Sequence, residues 1–449
     1  MSSDSSSDSS SSNDESNDSS NDASNHTSGL QMVNALSMLP DPIDAAHQVA
    51  DQLWKQLNGS PDLLMVFVSV HHARTMGMIA DTLRDRLGSR HMVGMTATGV
   101  MSGVSSIEGS AAVSVMACRF AGVEIKPFWV EHLSPRESMD QRAAKLSECI
   151  GASDEMRAAL FFADPFSVPM VNLIPALSAS RVQVVSDSGR VDQIGTIIGG
   201  MASGGNKPNS NTLLLDGDVR HEGAMGVTLS GNLQVDTVVS QGCRPIGSPM
   251  VITKARGNLI LELGGERAID VVRETVRDLN EADKELLGNG MVIGRVINEQ
   301  KSHFGRGDFL IRNVMGGDKT SGAIAIADLM HAGQTVQLHL HDAKTAKEDL
   351  SLLLDGQRLY SKPAGALLIS CTGRGGEFFD EPGYDATVVS RAFDPKPDGA
   401  SLAKAGTELD PSSGIPLIGI QAAGEIGPID GVTFQHGHTA VVGLFREPD

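Results

Sequence analysis

Cysteine is scarce in this sequence, and the few cysteines stand far apart. The 449 residues contain only Cys118, Cys149, Cys243 and Cys371, with no CxxC pair among them. A spacing of this kind does not form a disulfide framework or a structural zinc motif. We therefore expect reduced thiols, as is usual inside cells.

Long apolar runs and an excess of basic residues are also missing. No segment approaches the ~20 apolar residues that a membrane helix needs, and the N-terminus has no apolar signal-peptide core. The chain has 36 Lys and Arg against 55 Asp and Glu, a formal charge of −19. Such a charge argues against nucleic-acid binding and against docking to anionic membranes. These features predict a cytoplasmic protein with neither kind of partner.

The familiar catalytic motifs are lacking as well. The sequence has no GxSxG, no Walker loop and no HExxH. The stretch GGMASGG at 199–205 is rich in glycine but has no following Lys-Ser/Thr pair. We therefore predict a protein without catalytic activity, cofactor or metal.

Residues 1–28 differ from the rest of the chain. They consist of Ser, Asn and Asp with almost no apolar side chain, so they cannot offset the entropy of ordering. The composition predicts a disordered acidic tail that the fold does not need. The alternative is a cluster of phosphorylated serines.

The remaining chain predicts a mixed α/β (α+β) fold with three divergent strand–helix–strand repeats. In each repeat an apolar strand is followed by a glycine-rich element and a second strand. The glycine elements share an apolar residue, a glycine, four residues and another glycine, and agreement at three places favours internal repeats. The glycine pairs are 94/99, 199/204 and 419/424.

Residues 233–345 separate the second repeat from the third. Short apolar strands follow each other closely there, with linkers such as RGN that favour antiparallel hairpins. Amphipathic helices are predicted at 266–279 and, closing the block, at 343–356. We expect a meandering antiparallel sheet with helices on one face.

Four stretches that follow each other along the chain carry a resemblance to a known family. VGMTATGVMSGVSSIEGSAAVSVMA resembles the signature of the N-terminal domain of the FIST family (F-box and intracellular signal transduction proteins). VSQGCRPIGSPMVITKARGNLILELGGERAI resembles the start of the C-terminal domain of the same family. CTGRG and GIQAAGEIGP resemble the end of the C-terminal domain. The resemblance implies two sensory domains, at 29–232 and 233–449, that bind a small ligand such as an amino acid. Because no output domain accompanies them, it also implies signalling through a separate protein partner.

Three polar clusters are candidates for the ligand site. Each places a charged residue, Arg244, Arg374 or Glu425, in a glycine-rich turn beside an apolar strand. The arginines could hold a carboxylate in bidentate fashion and Glu425 an ammonium, so we predict that the three converge on one pocket. The neighbouring candidate ligand-binding residues are Thr98, Gly242, Cys243, Cys371, Gly373 and Gly424.

Two alternatives remain open. A thiol-dependent enzyme could use Cys371, paired with His436 or His438, or Cys243 beside Arg244. A metal site could use His71 and His72, or His339 and His341, which alternate on a strand and so face the same side. Two histidines do not complete a metal site, and no carboxylate or cysteine cluster is linked to them by spacing.

Overall fold

The computed structural model describes residues 29–57, 59–130, 133–134, 136–185, 191–394 and 414–448. The predicted acidic tail therefore lies outside the described residues. Within them the fold is α+β, as predicted, and three six-stranded sheets share one strand order. Each sheet belongs mainly to one of three successive repeats.

The first repeat extends from residue 30 to residue 120. Its sheet runs β1-β6-β2-β3, and only the neighbours β2 and β3 are parallel. Alternating strand and helix produce that parallel pair, since α2 supplies the crossover. The elements are β1 (Leu30–Ser37), α1 (Pro42–Gln56), β2 (Leu63–Ser69), α2 (Met76–Leu87), β3 (His91–Ala97), β4 (Gly99–Ser102), β5 (Ser105–Glu108) and β6 (Val113–Phe120).

The second repeat has the same plan with one extra hairpin. Its sheet runs β7-β14-β8-β11, again with one parallel pair, β8 with β11. The two-stranded hairpin β9-β10 follows α4. The elements are β7 (Val123–Val130), α3 (Met139–Ile150), β8 (Met156–Ala163), α4 (Met170–Ala179), β9 (Gln183–Val185), β10 (Val191–Gln193), β11 (Thr196–Met201), β12 (Leu213–Leu215), β13 (Asp218–Arg220) and β14 (Ala224–Gly231).

The third repeat begins with β15 (Gln234–Gln241), and a separate sheet is inserted directly after it. The inserted sheet has seven antiparallel strands in the order β16-β22-β19-β20-β21-β17-β18. Its elements are β16 (Cys243–Arg256), β17 (Leu259–Leu263), β18 (Glu266–Arg267), α5 (Ala268–Arg277), α6 (Glu281–Leu286), β19 (Met291–Val296), β20 (Phe309–Gly317), β21 (Ile324–Ile326) and β22 (Thr335–His341). The predicted meandering sheet is therefore present.

The chain then returns to complete the third repeat. The third sheet runs β15-β27-β23-β24, with β23 and β24 parallel. The remaining elements are α7 (Ala343–Gln357), β23 (Gly365–Cys371), α8 (Gly376–Phe379), α9 (Tyr384–Arg391), β24 (Leu417–Ala422), β25 (Glu425–Ile429), β26 (Val432–His436) and β27 (Thr439–Arg446). The predicted bounds of the insertion were wrong at both ends, because β15 and α7 belong to the third repeat and the inserted strands occupy 243–341.

Each repeat donates one hairpin to the sheet of another repeat. Hairpin β4-β5 of the first repeat pairs with β24 of the third. Hairpin β12-β13 of the second pairs with β3 of the first, and β25-β26 of the third pairs with β11 of the second. The exchange is cyclic, so every sheet is completed by another repeat.

The inner faces of the three sheets meet in one apolar core. Phe67, Phe162 and Ile369, one from each sheet, are fully buried in it. The outer face of each sheet is covered by its own helices, α1 and α2, α3 and α4, or α7 and α9. The candidate site lies beside this core, at the carboxyl end of β23.

The first glycine of each repeated pair is required by the parallel strand beside it. A Cβ at Gly94 would lie 1.9 Å from the carbonyl oxygen of Val66, and one at Gly199 would lie 1.8 Å from that of Phe161. The corresponding distance at Gly419, to the Leu368 oxygen, is 2.7 Å. The repeated glycines thus permit close backbone packing.

Candidate functional site

Arg374 is the centre of a buried polar cluster at the carboxyl end of β23. Its side chain is fully buried, and Nε and Nη2 donate to the two carboxylate oxygens of Asp385 at 2.9 and 2.8 Å. Burial lowers the pKa of Arg374, but the pairing with Asp385, with smaller help from Cys371 and Glu425, outweighs this and raises it. The guanidinium is therefore a permanent, internally paired cation.

Glu425 reaches the same cluster from the second sheet. It opens β25, is fully buried, and its Oε2 accepts a hydrogen bond from the Thr439 N–H at 3.2 Å. Burial raises the pKa of the Glu425 carboxyl well above its ordinary value, although the Thr439 bond, the Cys371 thiol and Arg374 partly oppose the rise. The structure thus brings Arg374 and Glu425 into one cluster, and their role in ligand binding stays a prediction.

Two thiols and two imidazoles complete the cluster. A Cβ built on the exposed Gly373 would lie 3.6 Å from His438 Nδ1, 3.7 Å from His341 Cε1 and 3.8 Å from Cys371 Sγ. Cys243 is close enough for Arg374 and Cys371 to influence its pKa. Gly373 is therefore an exposed residue that borders this buried cluster.

Neither thiol is activated. Burial raises the pKa of Cys371 to about 12, and the neighbouring Glu425 adds to the rise. Burial also raises the pKa of Cys243, against the influence of Arg374. A nucleophilic cysteine needs the opposite shift.

Arg244 does not join this cluster, so the prediction that all three charged residues converge was wrong on this point. Its Nη2 donates to Asp283 and its Nε to Asp342 at 3.4 Å, and the side chain is 36% exposed. Successive residues of a strand face opposite sides. Because Cys243 faces the cluster, Arg244 faces away from it.

Gly242 is where β15 ends and the inserted sheet begins. Its N–H donates to the His438 carbonyl at 3.1 Å. A Cβ there would lie 2.7 Å from Arg374 Nη1 and 3.1 Å from Ala346 Cβ. The glycine therefore provides the space in which the guanidinium lies.

Thr98 and Gly424 lie instead where the glycine elements of the repeats meet. The Thr98 N–H donates to Ser203 Oγ at 2.8 Å, and this hydroxyl donates in turn to the Gln421 carbonyl. A Cβ at Gly424 would lie 2.4 Å from Met201 Cε. Both residues hold the three repeats together, and within the described residues neither forms a hydrogen bond to Arg374.

Four polar atoms of the cluster have no hydrogen-bond partner in the described part of the chain. They are Arg374 Nη1, Glu425 Oε1, His341 Nε2 and His438 Nδ1. An unsatisfied buried polar group costs about 1–3 kcal/mol. Four of them on three separate chain segments mark a place where the described residues do not supply the partners.

The histidines considered as metal ligands have other surroundings. His339 Nδ1 bonds the Gln337 carbonyl at 3.0 Å, and His341 stacks on Phe378 with ring centres 3.8 Å apart. His72 bonds the Leu39 carbonyl at 3.2 Å. Over the described ranges, no three His, Cys, Asp or Glu side chains are arranged to hold a metal ion.

Sequence reasoning missed Asp385 and Asp349, two buried carboxylates beside the cluster. Asp385 also accepts from Ser370 Oγ at 2.7 Å, and Asp349 accepts from Ser240 Oγ and the Gln241 N–H at 2.8 and 3.0 Å. Burial raises the pKa of Asp349. An acidic residue on an apolar helix face was the available signal, because Asp349 follows the spacing of the buried residues of α7.

Three repeats around one core, with a buried polar cluster between the third repeat and an inserted sheet, define an α+β protein built from several parts. The FIST N domain matches residues 62–266 and the FIST C domain matches residues 268–428. The chain therefore belongs to the FIST family, whose domains are sensory modules of signal transduction. This confirms the resemblance seen in the sequence.

Relatives over nearly the full length occur in mycobacteria. An uncharacterized protein of Mycobacterium tuberculosis (strain ATCC 25618 / H37Rv) is 33% identical over 420 residues, covering 91% of this chain and 98% of that one. An uncharacterized protein of Mycobacterium bovis is 32% identical over 417 residues, or 90% and 96%. Neither name describes an activity.

A solved structure entitled "Cyanuric acid hydrolase: evolutionary innovation by structural concatenation" covers 62% of this chain and 84% of its own. Its identity is 10% and its TM-score 0.26, which supports no conclusion about this chain.

None of the described helices is both long and apolar enough to cross a membrane.

Proposed function

We propose that this FIST protein is a sensor that binds a small ligand, an amino acid or a small carboxylate, in the cluster around Arg374 and Glu425. The observation that carries the proposal is the convergence of four buried, unsatisfied polar atoms from three chain segments. Buried polar groups of native proteins usually have a hydrogen-bond partner, so unsatisfied ones are rare. A ligand with complementary donors and acceptors would satisfy them.

The ligand enters beside Gly373. The residues that follow, Gly375 to Phe379, are a glycine-rich turn and the short helix α8, whose Phe378 covers His341. Outward movement of this segment opens the cluster without disturbing the strands. The movement is also a means of signalling, because Asp385 links Arg374 to the adjoining α9.

The sensor acts without catalysis and through a separate protein partner. Both thiols of the cluster have raised pKa values, which opposes nucleophilic chemistry at Cys371 or Cys243. Replacing each of these cysteines by serine tests this part of the proposal. A turnover that depends on either thiol would contradict it.

A thermal-shift screen against the amino acids and small carboxylates tests ligand binding. A ligand at ~100 times its Kd stabilises the fold by about 2.7 kcal/mol. The Glu425→Gln variant should lose much of the shift, whereas Glu124→Gln, the same change at an exposed site on β7, should keep it. Equal shifts in the two variants would place the ligand elsewhere.

A further inference from the structure

The unsatisfied atoms of the cluster are mostly acceptors, which bears on the ligand's chemistry. His438 Nε2 lies 2.6 Å from the Asn313 amide oxygen and His436 Nε2 lies 3.0 Å from the Gly427 carbonyl. An oxygen partner requires the proton on Nε2, so Nδ1 of each neutral ring is an acceptor. Within the described part of the chain neither Nδ1 atom has a donor, which adds His436 Nδ1 to the four unsatisfied atoms given above.

Glu425 adds a third acceptor next to these two when its carboxyl is ionised, the form that a neighbouring ammonium group favours. Its Oε1 is buried and has no partner among the residues that the structure describes, and His436 lies directly opposite Glu425 in the β25-β26 ladder. Directly opposed side chains of antiparallel strands have Cβ atoms about 4.5–5.5 Å apart. His438 lies one residue before Thr439, whose N–H already binds the other carboxylate oxygen.

The donors of the cluster are almost fully used. Arg374 has two of its three nitrogens on Asp385, which leaves only Nη1 without a partner. Its charge is matched by the same carboxylate. A ligand carboxylate would therefore compete with Asp385 for Arg374. Within the described residues, by contrast, no cation of the chain forms a hydrogen bond to Glu425.

We infer that the cluster recognises a primary ammonium group, with Glu425 Oε1 and the imidazole nitrogen of His438 as its principal acceptors. The inference rests on the proposed function and narrows the ligand class from amino acids and carboxylates to compounds with a –NH₃⁺ group. Three N–H donors on one small cation suit several acceptors around one point. The carboxylate of an amino acid is secondary to this contact, since Arg374 is already paired.

Matched trios of ligands test the inference by calorimetry on the full chain. Each trio is an amino acid, its decarboxylated amine and its deaminated acid: alanine, ethylamine and propionate; leucine, isoamylamine and 4-methylpentanoate; phenylalanine, phenethylamine and 3-phenylpropionate. We expect at least one trio in which the amine binds within about tenfold of the amino acid and the acid binds more than tenfold more weakly. The N-trimethylated amine, which keeps the charge without N–H donors, should also bind more than tenfold more weakly.

Binding of the acids without binding of the amines would distinguish the proposal of a small-ligand sensor from that of ammonium recognition. If acids bind as tightly as amino acids and amines do not bind, the sensor function stands and ammonium recognition is overturned. If no member of any trio binds, both are overturned.

Two variants assign the contact to these residues. Glu425→Gln and, independently, His438→Gln should each weaken amine binding at least tenfold, while the Glu124→Gln control binds as the wild type does. Having two positions keeps the test valid if one variant fails to fold. If every variant of the two that folds binds the amine as tightly as the wild type does, the assignment of the contact to Glu425 and His438 is overturned.

Discussion

At the scale of single residues, the geometry of the cluster depends on the absence of a side chain at Gly242. Gly242 borders the Arg374 guanidinium so closely that any side chain would lie within 2.7 Å of Nη1. The guanidinium has little freedom to move, because Asp385 holds its other two nitrogens. Stability and the geometry of the site are therefore linked at position 242.

We predict that Gly242→Ala destabilises the protein by about 2–4 kcal/mol, since it either displaces a buried ion pair or leaves it strained. Urea unfolding measures the difference. Gly356→Ala is the matched control, because a Cβ there meets nothing within 4 Å and lies in α7, where alanine should be neutral or stabilising by up to about 1 kcal/mol. Equal effects of the two changes would contradict this account.

Glu425 also makes stability depend on pH. Because burial raises its pKa in the folded state, the folded protein retains a proton that the unfolded chain releases above about pH 4.5. Its contribution to stability is therefore fully present below that pH and is lost as pH rises through the folded pKa.

Glu425→Gln removes this pH dependence. The variant should gain stability over the wild type as pH increases from 5 to 8, with a slope of up to about 1.4 kcal/mol per pH unit. Denaturant titrations at several pH values measure the difference. A difference that stays constant across this range would show that Glu425 is ionised in the folded protein.

At the scale of elements, the repeated glycines set the distance between parallel strands. The clearances at Gly94, Gly199 and Gly419 differ, with the third less crowded than the other two. Since all three contacts are with backbone oxygens, side-chain rotation cannot relieve them.

We expect Gly94→Ala and Gly199→Ala each to cost at least about 3 kcal/mol, and Gly419→Ala to cost less, because its Cβ lies 2.7 Å rather than about 1.9 Å from the carbonyl. Thermal and chemical unfolding of the three variants give the order. Gly288→Ala, at a glycine with open space around it, is the control. A larger loss at Gly419 than at the other two would refute the explanation.

At the scale of the whole molecule, the cyclic exchange of hairpins joins parts of the chain that the sequence suggests are separate domains. Sheet edges of residues 29–232 are completed by β25, and hairpin β4-β5 completes a sheet of the second half. The predicted division at 232/233 remains a prediction, but each half alone would present an unpaired strand edge.

A fragment of residues 29–232 should therefore lack a cooperative thermal transition when expressed alone. Co-expression with residues 233–449 should restore it, because β25-β26 then covers β11. Circular dichroism and size-exclusion chromatography measure both states. Cooperative unfolding of the isolated fragment would show that the first half is an independent domain.

The sequence predicted the three repeats because their apolar strands and glycines recur in order. It also predicted that Arg374 and Glu425 lie close together, from their glycine-rich turns, although these turns belong to different sheets. It could not reveal the hairpin exchange, since a strand's pattern does not specify which repeat supplies its neighbour. Nor could it exclude Arg244, because the face of β16 depends on a register that only the pairing of Cys243 with His341 fixes.

The hairpin exchange also has a consequence for synthesis on the ribosome. Strand β11 ends at Met201, yet its neighbour begins at Glu425, roughly 225 residues later. At about 5–20 residues per second, the growing chain exposes that edge for roughly 10–45 seconds. During this interval the nascent protein is open to pairing with other chains, and holding chaperones have time to protect it. The hairpin β25-β26, which belongs to the third repeat, therefore closes the sheet of the middle repeat.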